Sequence, residues 1–290
     1  MSPDDGRRSR AHEPVLDRGG WSAHLELRFA RTHRGTRLVH RAHRGPLRVQ
    51  KALYPEGDDV CQVAIIHPPG GIAGGDALQL DVALERHAHA QLITPGAAKW
   101  YRARAEARQI LDFAVADEAR LEWLPQENIV FDGATMRTST RISLAGSGAA
   151  ILWDVVCLGR IAAGETFTHG MMRQRLEVVR DGLPVWLEQN LLPAASSALR
   201  SPAGLGGQPV FGTFVLAAPS IDDAWLALAR NVGSDLAKQD HAVTRLPGIL
   251  LARCRSNSTP LVNAWFRALW AALRPEVFGR DARTPRLWQT

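Results

Sequence analysis

Acidic side chains recur in apolar company along this chain, and their types and spacing bear most directly on chemistry. Asp76 closes "HPPGGIAGGD", residues 67–76, a run with four glycines and two prolines. Glu127 follows an apolar stretch in "LEWLPQENIVFDG", Asp154 sits inside "AILWDVVCLG", and Glu188 sits inside "PVWLEQNLL". Glu165 and His169 share "GETFTHG". A carboxylate on a strand commonly faces water, because strand neighbours alternate sides. Asp154 resists that reading, since Trp153 and Val155 flank it and Leu152 and Val156 share its face. A buried carboxylate needs an arginine, backbone amides or a cation beside it. Scattered carboxylates of this kind suit weak, transient binding of a hard or borderline cation, without a permanent cage.

Other chemistries find less support. In the glycine run the dinucleotide fingerprint fails, because Ile72 or Ala73 falls where its middle glycine belongs. A Walker spacing fits from Gly70 to Gly75, but Asp76 stands where the phosphate-binding lysine should be. The next segment alternates like a strand, so no helix N-terminus points at the loop. The run reads instead as a tight, proline-entered connection, with Asp76 as a turn carboxylate. His87 and His89 in "RHAHAQL" are spaced to share one strand face, where a solvated pair is commoner than a chelate. Ser147 in "AGSGA" lacks the nucleophile-elbow spacing, and Asp117 and Glu118 fall on opposite faces of a predicted strand. An independent metal-dependent hydrolase is thus a minor alternative. Cys61, Cys157 and Cys254 lie far apart in apolar segments and read as buried, reduced thiols of a cytoplasmic protein.

The elements that must position these residues are mostly strands. "SAHLELRFA" and "ALQLDVALE" alternate, and "TMRTSTRISLA" is rich in threonine. "DVCQVAII", "RQILDFAVA", "ARLEWLP", "NIVFD", "AILWDVVCL", "RQRLEVVRDG", "PVWLEQNLL" and "PGILLARCR" complete the set, with no fixed-period repeat. Two helices are predicted near the C-terminal part. In "SIDDAWLALARNVGSDLAKQ", Ser220 and Asp223 form a start like a capping box, followed by an apolar stripe of Trp225, Leu228, Ala229 and Val232. In "TPLVNAWFRALWAALRP", Thr259 caps, Pro260 takes the first turn and Pro275 follows the end. Its apolar face, Leu261, Trp265, Leu269 and Leu273, is widened by Phe266 and Trp270. Trp265, Phe266 and Trp270 therefore stand as candidate partner anchors, with core packing as the plainer use of large rings. The expected organisation is a flexible tail over 1–20 and one β-rich domain over 21–290.

Bulk properties agree with a soluble binding or scaffold protein. At 46% hydrophobic and 22% charged residues over 290 positions, the chain is neither disordered nor membrane-spanning, and no run reaches about 18 apolar residues. The polar N-terminus lacks a secretory signal. The formal charge of +6 comes almost wholly from arginine. These arginines are spread out, without the dense tracts and interleaved aromatics of a nucleic-acid binder, and suit docking to an acidic protein.

The segments "HPPGGIAGGD", "TPGAAKWYR", "LEWLPQENIVFDGA", "WDVVCLGR" with "GETFTHG", "DGLPVWLEQ" and the closing "RLWQT" together resemble the UreD (UreH) family of urease accessory proteins. The resemblance spans 67–290 in the family's order. It implies a non-enzymatic maturation chaperone that acts with UreF and the GTPase UreG on apo-urease. It also implies a single domain of stacked, helically wound β-sheets with two helices, and nickel(II) as transient cargo in an internal channel. On that reading, Asp76, Glu127, Asp154 and Glu188 help line the nickel path, with His67 and Glu165 as lesser candidates. No cofactor is permanently bound, and GTP hydrolysis belongs to the partner.

Overall fold

Period-two burial builds the body of the molecule. In the strand Ala77–Leu84, Leu78, Leu80, Val82 and Leu84 are buried while the residues between them are half exposed. The computed structural model describes residues 19–233, 235–236 and 240–289. Residues 1–18 of the expected tail lie outside the described residues.

The strands are β1 (Ser22–Thr32), β2 (Gly35–Arg44), β3 (Arg48–Val49), β4 (Val60–Ile66), β5 (Gly71–Ile72), β6 (Ala77–Leu84), β7 (His89–Ile93), β8 (Ala98–Trp100) and β9 (Ala107–Val115). They continue as β10 (Arg120–Leu124), β11 (Asn128–Val130), β12 (Thr135–Leu144), β13 (Ala149–Leu158), β14 (Met171–Arg180), β15 (Leu183–Pro193), β16 (Val210–Ala217), β17 (His241–Leu246) and β18 (Ile249–Ser256). The helices are α1 (Asp223–Asn231) and α2 (Thr259–Phe278).

One sheet has seven strands in the order β15-β14-β12-β9-β6-β1-β2. The second runs β17-β18-β16-β13-β10-β7-β4-β3, with β5, β8 and β11 branching from β13 as a short third wall. The chain visits the walls in rotation. β4, β7, β10 and β13 are parallel neighbours, as are β6, β9, β12 and β14. This is a helically wound coil, as the family resemblance implied. Val60, His89, Arg120 and Ala149 stack in register about 30 residues apart, a solenoid-like period. The period escaped the sequence reading because the coils repeat backbone geometry and a turn, not a residue motif. The turns do stack, with Ala88, Ala119 and Gly148 each donating to the residue three positions back.

Between the two sheets lies the larger core, including Leu25, Phe29, Phe113, Met136 and Leu152. A second core lies between the second sheet and the helices. β13 is therefore covered on both faces, which explains its near-continuous apolar run. Even-numbered Leu152, Asp154 and Val156 face the sheet–sheet interior, while Trp153, Val155 and Cys157 face the helices. At Gly212 on β16, a Cβ would fall 2.7 Å from the Phe266 ring, so the absent side chain lets α2 seat closely.

Both helices depart from expectation at their ends. Asp222, not Ser220, caps α1 by accepting from the Ala224 amide at 2.8 Å, and the helix stops at Asn231. An aspartate directly before the helix outcompetes a serine two residues earlier. Val232 lies just past the end, and part of the expected continuation lies outside the described residues. α2 begins after Ser258, and Pro275 lies inside its last turn, before Gly279 closes it in left-handed geometry. Trp265, Phe266 and Trp270 are 2%, 0% and 2% exposed. Phe266 packs on Trp153 and Phe214, Trp270 on Trp288, and Trp265 on Phe266 and His241, so the wide apolar face fills the second core and presents no surface anchor.

Candidate functional site

Asp154 interrupts β13 where the strand faces the space between the sheets, and its carboxylate is the hub of a polar string. Oδ1 accepts from Asn128 Nδ2 at 2.8 Å and Oδ2 from Gln174 Nε2 at 2.5 Å. Asn190 Nδ2 donates to Gln174 Oε1 at 3.0 Å and to Glu188 Oε1 at 3.2 Å. Glu188 Oε2 accepts from Arg253 at 2.6 Å, and Asn128 Oδ1 accepts from the Trp100 indole at 2.9 Å. The string thus crosses the interior from β18, where Arg253 is half exposed, through β15, β14, β13 and β11 to β8.

These side chains border a cavity of about 260 Å³. Asp154, Glu188, Gln174, Asn128, Thr138 and His67 all line it. Thr138 Oγ1 is buried without a hydrogen-bond partner. Such an orphan hydroxyl needs an explanation in a native interior. Burial raises the Asp154 carboxyl above its ordinary value, the two amides work against that rise, and the Glu188 charge adds to it. Asp154 keeps some accessible surface, but that surface borders the cavity, so the group is desolvated all the same. A divalent cation entering here would meet two carboxylates and several amide and hydroxyl oxygens. Among the described residues, no three His, Cys, Asp or Glu side chains converge as a metal cage.

The remaining candidates are placed elsewhere. His67 reaches the cavity, and burial lowers its ring while the Asp76 charge pulls the other way. Asp76 does not line the cavity. Its carboxylate accepts from the amides of Ala73 and Trp21, each at 2.8 Å, closing the glycine turn and tying it to the start of β1. Gly75 there has φ +86 and lies against Gly20, so a side chain would be strained. Glu127 accepts from Asn263 of α2 at 3.1 Å. Glu165 pairs with Arg160, which holds its carboxyl below the ordinary range, and accepts from the Asp132 amide. Of the six path residues, the fold brings Asp154, Glu188 and His67 to one cavity and leaves Asp76, Glu127 and Glu165 fixing turns and the α2 contact.

A second polar centre was missed from sequence. Glu122 on β10 is fully buried, as is Arg274 on α2. Arg274 donates from Nε and Nη2 to the two Glu122 oxygens, both at 3.0 Å, and from Nη2 to Glu56 at 2.7 Å. Trp270 Nε1 donates to Glu122 at 2.6 Å, and His89 Nε2 lies 2.7 Å from it. Burial opposes ionisation of Glu122, but His89 and Arg274 together hold its carboxyl well below the ordinary value. Burial also lowers His89, against the pull of Glu122. The expected His87–His89 pair does not exist. His87 is in an exposed turn at φ +62, beside Glu118 at 2.9 Å, while β7 begins only at His89. Asp117 and Glu118 share that turn region and are not strand neighbours. All three cysteines are free and buried, and burial pushes Cys254 up to about 12.

Residues 22–289 match the family described as UreD urease accessory protein. The chain is 48% identical over 274 residues to "Urease accessory protein UreD" of Pseudomonas fluorescens (strain Pf-5), covering 93% of this chain and 95% of that protein. It is 48% identical to the protein of that name from Dechloromonas aromatica, and 47% identical to the one from Pseudomonas aeruginosa, at the same coverage.

Proposed function

Because this chain belongs to the UreD family of urease accessory proteins, we propose that it acts as a maturation chaperone which engages apo-urease together with UreF and the GTPase UreG and assists nickel(II) incorporation. The family match over nearly the whole chain carries this reading. An accessory role also suits the site. The cavity is lined by carboxylates and amides, which suit cargo contact.

Within that role, the space between the sheets offers nickel a passage. Asp154 and Glu188, 34 positions apart in sequence but bordering one cavity, would each replace part of the ion's hydration shell in turn. His67 extends the lining toward the glycine turn. Oxygen ligands bind a borderline cation loosely enough to release it, whereas a thiolate cage would retain it. The raised Asp154 carboxyl adds a pH dependence. Protonation competes with the cation at higher pH than for an exposed aspartate, so transfer weakens early on acidification. No helix of the described residues is long and apolar enough to cross a membrane.

The test is co-expression of apo-urease, UreF and UreG with and without this chain. Urease nickel content and activity are expected to rise only when the chain is present. Equal nickel content in its absence would overturn the reading.

A further inference from the structure

Two carboxylates border the cavity between the sheets, and the fold treats them differently. Asp154 is held by the neutral amides of Asn128 and Gln174. Glu188 is held by Asn190 on Oε1 and by the Arg253 guanidinium on Oε2, the latter at 2.6 Å. Register brings Arg253 to this place. Asp154 on β13, Thr213 on β16 and Arg253 on β18 lie abreast, and Thr213 lines the cavity as Asp154 does. Leu251, two positions before Arg253, packs into the core between the sheets, so the Arg253 position shares that interior face. The neighbouring arginines are engaged elsewhere. Arg255, two positions on, takes Asp240 at 2.8 Å, and Arg175, which borders the cavity, takes Glu177 at 3.2 Å.

The Glu188–Arg253 pair is asymmetric. The Glu188 side chain is 13% exposed and the Arg253 side chain 49%. The carboxylate is fixed at the cavity wall, whereas the guanidinium sits on a long stem with its charged end already at the water. It also lies over the Trp186 ring, 5.5 Å from the centroid, which holds the stem near the cavity without adding a second carboxylate. A half-exposed ion pair of this kind is weak, so the guanidinium leaves the carboxylate at little cost.

We propose that Arg253 is the gate residue of the cavity: it occupies Glu188 as a stand-in cation, and a divalent ion takes Glu188 only as Arg253 swings to solvent. The proposal rests on the nickel passage proposed above and adds how that passage is closed and emptied. One positive charge leaves as two arrive, so the ion is held less tightly than an unguarded pair of carboxylates would hold it. The returning guanidinium competes for Glu188 and helps to expel the ion.

The test titrates nickel(II) by equilibrium dialysis into the full chain, as wild type, R253M, R253K, E188Q and E188Q/R253M. R253M keeps an apolar stem over Trp186 and removes the charge. It is expected to raise nickel affinity at least fivefold, with R253K within twofold of wild type and the gain lost in E188Q/R253M. A merely structural role for Arg253 would not tighten nickel binding. Thermal melts report folding, and R253Q carries the test if R253M unfolds the chain. An affinity equal to wild type without the guanidinium, or a gain that persists in E188Q/R253M, overturns the gate. The passage is judged separately, by urease nickel content after co-expression with D154A/E188A. Content equal to wild type removes the passage itself, whereas a several-fold fall together with unchanged R253M affinity removes only the gate.

Discussion

Asp154 and Glu122 are both buried acids, and the fold treats them oppositely. Asp154 is ringed by neutral amides and its carboxyl is raised, whereas Glu122 is paired with Arg274 and its carboxyl is lowered. Removing either partner of the second pair takes away the main counterion of a buried charge, leaving Arg274 only Glu56 or Glu122 only His89, so E122A or R274A is expected to cost about 3 kcal/mol in urea unfolding. D154A leaves two amides to find other partners beside a cavity, and should cost only about 1 kcal/mol. The pH dependence follows from the same groups. Folding lowers both His89 and Glu122, so the unfolded chain holds more protons between the folded and ordinary values. Stability should therefore fall as pH drops below about 6.5, first through His89 and then through Glu122. Asp154 has the opposite sign, since the stability from its raised carboxyl is lost as pH rises. Urea midpoints against pH check this, and E122Q should flatten the acid limb. Asp154 was legible in the sequence because a charge breaks an apolar run. Gln174, Asn190 and Asn128 were not, because neutral amides on half-buried strands look like surface residues until the fold places them around a carboxylate.

At the scale of elements, strand existence was the most legible feature. Alternation in "ALQLDVALE" and the apolar run around Asp154 each gave a strand within a residue or two of its observed limits. Helix ends were less legible. Pro275 reads as a terminator, yet the helix runs three residues past it despite the lost amide and the ring's crowding of the preceding turn, and Gly279 ends the helix instead. The breadth of the α2 apolar face was visible, but what covers it was not. The second sheet is buried on both sides, so Trp265, Phe266 and Trp270 have a core to fill. Two substitutions probe this packing. G212A puts a methyl group into the Phe266 ring and is expected to cost about 1–3 kcal/mol by urea unfolding. D222A removes the α1 cap and should cost about 1 kcal/mol, read most clearly as faster amide exchange in that helix.

At the scale of the whole molecule, two sheets wound as one coil set polar side chains from distant strands around one enclosed space. Asp154 comes from β13 in the second sheet, and Gln174 and Glu188 come from the neighbouring strands β14 and β15 of the first, so no local spacing could reveal that the three meet. The resemblance to the accessory family supplied the idea of a passage, and the coil shows which three of the six proposed residues share a cavity. The most direct test is the nickel content of urease purified after co-expression with UreF, UreG and either the wild-type chain or D154A/E188A, with folding and partner binding of the variant confirmed. The passage predicts that nickel per urease active site falls several-fold with the double variant although the complex still forms. Nickel content equal to wild type, from a variant that folds and binds normally, would contradict it.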